Sequence, residues 1–256
     1  MPNPLAFISN YFFNRVRNSA EQYNGHCTWR FSQGNNPIAN IIETDSETAG
    51  GICEMLSVRW IERHASGSSL ASWLSASGGS IDKNDIDPSK IRQLMQLYIA
   101  GTTLRSGMMA EENSGCFNQT NASIRWLREK GILQCRSINF TQVGSNKYTM
   151  VQDRRGERGD MGRKDFATEI AVSIQRDLKS CYGNYAVIGI YGNGGHAMAA
   201  WIGQDACFFD PNYGEFYFSD KNAFINWFPF FFKRAGYMSS SGLCESYHNI
   251  ILSPRH

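Results

Sequence analysis

Between Tyr185 and Ser219 four short apolar segments, YAVIGIYG, HAMAAWI, ACFFDP and EFYFS, follow one another with only a few turn residues between them. Strands joined so tightly must run antiparallel, because parallel neighbours need a crossover of about a dozen residues or more. The stretches before them read differently. Helical periodicity covers Thr48–Gly51 to Arg63, Ser89 to Thr103, residues 120–130 and residues 165–179, with a single strand at Leu133–Phe140. An aromatic-rich helix at 220–233 and a last strand at Tyr247–Ser253 follow the hairpins. Helices first and an antiparallel sheet afterwards define an α+β chain. Its 256 residues, 42% hydrophobic and 13% aromatic, suffice for a sizeable core.

One of the hairpins places two chemically informative residues. Gly203-Gln204-Asp205 reads as a three-residue loop, which sets Ile202 opposite Ala206 and Asp210 opposite Met198. His196 and Asp210 then share a face as diagonal neighbours, about 7–8 Å apart at the backbone. A loop of two or four residues would send the two side chains to opposite faces. Gly194-Gly195 opens the approach to His196, and Pro211-Asn212 ends the strand at Asp210. An imidazole beside a carboxylate is the acid–base half of a nucleophilic site.

The nucleophile candidate lies far upstream, in AGGICEMLSVRWI. Cys53 follows Gly50-Gly51 at the start of a helix, with Leu56 and Trp60 on the same stripe. The unpaired N–H groups and positive dipole end of a first helical turn favour a thiolate. A buried structural cysteine is the alternative reading of the same position. Cys27, after His26, and Cys207, in the hairpin, do not open helices and rank below Cys53.

The remaining features restrict what else the chain does. A formal charge of +2 argues against nucleic acid as the principal partner, and no segment has the length of a membrane span. Seven scattered cysteines, with neither CxxC nor zinc-like spacing, fit a reducing compartment and imply no metal or other cofactor. Asp82, Asp85 and Asp87 lack calcium-loop spacing and are read as caps and solvated groups. Arg154–Lys164 is a charged, glycine-punctuated loop. Phe224, Trp227, Phe228, Phe230, Phe231 and Phe232 are too dense for one helix face to hide, so a docking patch for an apolar substrate segment stands beside the core reading. The amino terminus lacks the basic region and cleavage site of a secretory signal. Residues 1–46 are read as an extension serving delivery or localisation, ahead of a catalytic domain at 47–256. Within it Leu5, Ile8, Phe12 and Val16 fall at helical spacing, and 18–46 is expected to be loop. That helix either packs on the body or meets a membrane surface or a secretion chaperone.

GGICEMLSVRWI, GGHAMAAWI and above all FFDPNYGEFYFSDKNAFINWF resemble the YopT-type cysteine peptidases. The resemblance covers about 12 residues around Cys53 and nearly 40 from Tyr191. It implies a papain-like fold, with Cys53 as nucleophile, His196 as general base and then acid, and Asp210 as the orienting carboxylate. It also implies a bacterial effector that leaves by a signal-peptide-independent, type III route. Such an effector acts in the host cytoplasm on a host signalling protein such as a small GTPase or a kinase. The residues themselves leave acyl transfer, glutamine deamidation and a non-catalytic binding role open. Papain-like enzymes place a polar oxyanion donor shortly before the nucleophile. Here Thr44–Thr48 contains no amide side chain, leaving Ser46, Thr48 or a more distant group.

Overall fold

The strands at the centre of the chain are covered on both faces, which is why they read as near-continuous apolar runs. The computed structural model describes residues 4–77, 85–103, 115–141, 163–192, 194–237 and 246–254. Its strands are β1 (Gly25–Trp29), β2 (Ile132–Thr141), β3 (Asn184–Tyr191), β4 (Gly195–Ile202), β5 (Ala206–Asp210), β6 (Gly214–Phe218) and β7 (Ser246–Pro254). They form a single antiparallel sheet in the order β1-β6-β5-β4-β3-β7-β2.

Two helical layers enclose the sheet. One contains α2 (Ile38–Ile42), α3 (Cys53–Ala65), α4 (Leu70–Leu74), α5 (Pro88–Thr103) and α6 (Gly115–Glu129). Met55, Leu56, Val58 and Trp60 of α3 pack there against Tyr185, Val187, Ala199 and Phe209 of the sheet. The other layer is α1 (Pro4–Glu21), α7 (Arg163–Lys179) and α8 (Lys221–Arg234). It covers Ile188, Met198, Ala200, Phe208 and Phe216. Odd and even strand residues therefore feed two separate cores.

The aromatic run of α8 belongs to the second core. Phe224, Trp227, Phe228, Phe231 and Phe232 are fully buried, each contributing about 1.5–3 kcal/mol, and Trp227 Nε1 donates to Ser19 Oγ across 2.9 Å. Phe230 alone of the set is exposed, and it lies against Tyr23. The density forces one ring outward as expected, but the rest are core, so no aromatic docking patch exists on this helix.

Residues 4–46 are woven into the body. Phe13, Val16 and Ala20 enter the α8-side core, and β1 pairs with β6 as an edge of the sheet. The loop expected over 18–46 thus contains a strand and a short helix. Asp87 caps α5 through Ser89 N–H, and Asp85 binds the Ser75 and Ser77 hydroxyls; Asp82 and most of the 154–164 loop lie outside the described residues.

Candidate active site

The site is assembled where the first turn of α3 meets the tips of β4 and β5. The α3 helix starts at Cys53 itself, because Gly51 has φ +113°, a conformation that suits glycine, and Ile52 is the cap. Cys53 is half-buried, and its N–H is among the first-turn donors that no helical carbonyl accepts. One turn later Ser57 Oγ donates to Ala197 O across 3.1 Å. Since residues four apart share a helix face, this bond sets Cys53 beside the residue preceding Ala197, which is His196.

The hairpin has the register that the loop length predicts: residues 203–205 form the turn, and Ile202 faces Ala206. His196 and Asp210 share the α8-side face, and the imidazole closes the diagonal, with Nε2 3.0 Å from Asp210 Oδ1. Asp210 is fully buried and accepts two more hydrogen bonds, from Asn212 N–H at 2.7 Å and from the Tyr237 hydroxyl at 2.8 Å. The Tyr237 ring lies against the imidazole, with centroids 5.2 Å apart. The Cys53 side chain lies beside the imidazole and adds to the rise of its pKa.

Burial alone pulls the His196 pKa down. The charge of Asp210, its hydrogen bond and the contact with Cys53 outweigh that and push it up to about 10. A raised imidazole pKa favours the protonated ring, the state that stabilises an anionic sulfur beside it. Burial pushes the Cys27 thiol up to about 11 and that of Cys207 up to about 12.

The structure thus brings together the three residues singled out in the sequence. It also adds three that sequence reasoning missed. Tyr237 and Asn212 hold the carboxylate, and Gln33 lies against Gly51 and Ile52, directly before the nucleophile. Asn212 sits in the informative FFDPNYGEF run, but nothing local marks Gln33 or Tyr237. Thr48 is no oxyanion donor, because its hydroxyl is buried and donates to Ile42 O at 2.8 Å. Ser46 is exposed.

A sequence model of the peptidase family described as Yersinia/Haemophilus virulence surface antigen matches residues 17–248. The chain is 29% identical over 236 residues to the cysteine protease yopT1 of Yersinia enterocolitica, covering 91% of this chain and 66% of that protein. It is 30% identical over 216 residues to the cysteine protease YopT of the same species, covering 83% and 59%. It therefore spans between 59% and 66% of the length of these relatives. The solved structure of the Pseudomonas avirulence protein AvrPphB matches with a TM-score of 0.52 at 17% identity, over 82% of this chain and 95% of that one. That likeness is one of fold: a papain-like α+β arrangement with the helix that carries Cys53 packed on an antiparallel sheet.

Proposed function

The chain belongs to the peptidase family of Yersinia/Haemophilus virulence surface antigens, and from that membership and the geometry of the site we propose that it is a cysteine endopeptidase acting through Cys53, His196 and Asp210. The observation that carries the reading is a buried imidazole that hydrogen-bonds Asp210 and has the Cys53 side chain beside it. The names of the relatives, cysteine proteases, agree with it.

His196 takes the proton of Cys53 Sγ as general base, which leaves a thiolate beside an imidazolium. Cys53 Sγ attacks the scissile carbonyl carbon, and the π electrons move to the oxygen. The Cys53 N–H, free in the first turn of α3, is placed to donate to that oxyanion. The C–N bond breaks as His196 protonates the departing amine, leaving a thioester. Neutral His196 then takes a proton from water, whose oxygen attacks the thioester. Collapse releases the acid and restores the thiolate and the imidazolium. His196 is thus base in activating the thiol, acid in releasing the amine, and base again in hydrolysis of the thioester. Asp210 keeps Nε2–H engaged throughout and so fixes the ring orientation.

The substrate class this reading entails is a host protein, with a small GTPase or a kinase as the first candidates. The enzyme would act in the host cytoplasm after delivery by a route without a signal peptide. No helix among the described residues is long and apolar enough to cross a membrane. A delivery or localisation role for residues 1–46 would fall to a segment that also closes the sheet.

The test is to incubate the protein with host-cell lysate and map new protein amino termini by mass spectrometry. New termini made by wild type but not by Cys53→Ala or His196→Ala are expected. Targets that gain mass without being cut would replace hydrolysis with deamidation or acyl transfer.

A further inference from the structure

We infer that Gln33 is a positioning residue, one amide that ties the backbone in front of the nucleophile to the loop that carries Asp210. The inference rests on the Cys53–His196–Asp210 reading. Gln33 is 7% exposed and uses both ends of its side chain. Its Oε1 accepts the Ile52 N–H across 3.0 Å, one residue before Cys53. Its Nε2 donates to Asn212 Oδ1 across 3.1 Å. Its own N–H donates to Pro211 O across 2.7 Å.

Asn212 continues the connection. Its N–H donates to Asp210 Oδ1 at 2.7 Å, and its Nδ2 lies 3.4 Å from the Tyr237 hydroxyl, which donates to Asp210 Oδ2. An unbroken run of hydrogen bonds therefore joins the cap of α3 to both oxygens of the carboxylate. Two glycines let the segment that carries Gln33 come this close. At Gly51 a Cβ would press on the Gln33 amide at 3.2 Å. At Gly214, with φ +101°, it would lie 2.1 Å from Trp29 O.

The need for such a tie follows from the fold. Cys53 belongs to one helical layer, while His196 and Asp210 point to the other side of the sheet. The Ser57–Ala197 bond fixes α3 one turn below the sulfur, and Gln33 fixes it one residue above. Misplacement by about 1 Å costs a catalytic pair on the order of 100-fold.

The experiment is alkylation of the full-length protein by iodoacetamide across a pH series, read cysteine by cysteine by mass spectrometry. Exposed Cys135 serves as the internal reference. Gln33→Met, which keeps length and removes both hydrogen bonds, should slow Cys53 at about pH 6 by about tenfold and move its profile toward that of Cys135. The Cys135 rate should not change. Gln33→Glu, which keeps an acceptor for Ile52 N–H, should recover most of the rate. A merely structural residue would alter melting without moving the Cys53 profile. A folded Gln33→Met protein with the wild-type profile overturns the inference. If Gln33→Met does not fold, Gln33→Asn, one methylene too short to span both partners, must shift the profile in the same direction, and a wild-type profile there overturns it. If wild-type Cys53 already behaves like Cys135 and ignores His196→Ala, the site reading itself falls, and the role of Gln33 falls with it.

Discussion

Asp210 Oδ2 accepts the Tyr237 hydroxyl across 2.8 Å, so the carboxylate that meets His196 is fixed from behind. Tyr237→Phe keeps the ring against the imidazole and removes only this bond. It should cost about 1–2 kcal/mol of stability and lower turnover with little change in KM. Denaturant titration and steady-state kinetics check this. An unchanged stability would show that the bond contributes nothing.

Asp210→Asn keeps the size of the side chain but removes the charge that raises the His196 pKa. The imidazolium should then lose its proton at lower pH, and the alkaline limb of Cys53 reactivity should move down from near 10. Asp210→Ala should be worse, since it strands the buried donors of Tyr237 and Asn212 at about 1–3 kcal/mol each. An Asn variant with an unshifted alkaline limb would contradict the electrostatic account.

Two buried histidines shape opposite flanks of the stability curve. Burial lowers His248 to about 4, so its contribution is intact above about pH 6.5 and is lost as pH falls toward 4, on the order of 3 kcal/mol. His196 is raised to about 10, so its contribution is intact below about pH 6.5 and is lost as pH rises toward 10. Denaturant titrations from acid to alkaline pH should show His248→Phe flattening only the acid flank and His196→Ala only the alkaline one. A swap of the two effects would reverse the assignment.

Trp227→Ala should cost about 3–5 kcal/mol, because a fully buried indole bonded to Ser19 leaves a large cavity. Phe230→Ala, at a half-exposed site, should cost less than about 1 kcal/mol. Equal losses in chemical denaturation would show that α8 is not the core element described above.

Local signals made the His196–Asp210 face legible, because a tight turn at 203–205 dictates register and register dictates face. The start of α3 was blurred by several residues, since Thr48–Gly51 forms hydrogen-bonded turns that resemble a helix entry until Gly51 breaks them. Strand β1 was invisible. GHCTW is short and flanked by polar residues, and it becomes a strand only by pairing with β6, nearly two hundred residues later. Gln33 was missed for the same reason: it reaches Ile52 and Asn212 through space, and nothing in FSQGNN announces either contact. One helix face is too narrow for the aromatic run, but α8 lies between α1, α7 and the sheet and is covered on several sides, so every ring of the set except Phe230 is buried.

The most direct measurement is intact-mass labelling with a thiol-reactive peptidase inhibitor, comparing wild type with Cys53→Ala and His196→Ala. Modification at a single site is expected in wild type, with none in Cys53→Ala and a severe loss in His196→Ala. Slow labelling spread over several cysteines, unchanged by either substitution, would show that Cys53 is an ordinary structural thiol and contradict the proposed chemistry.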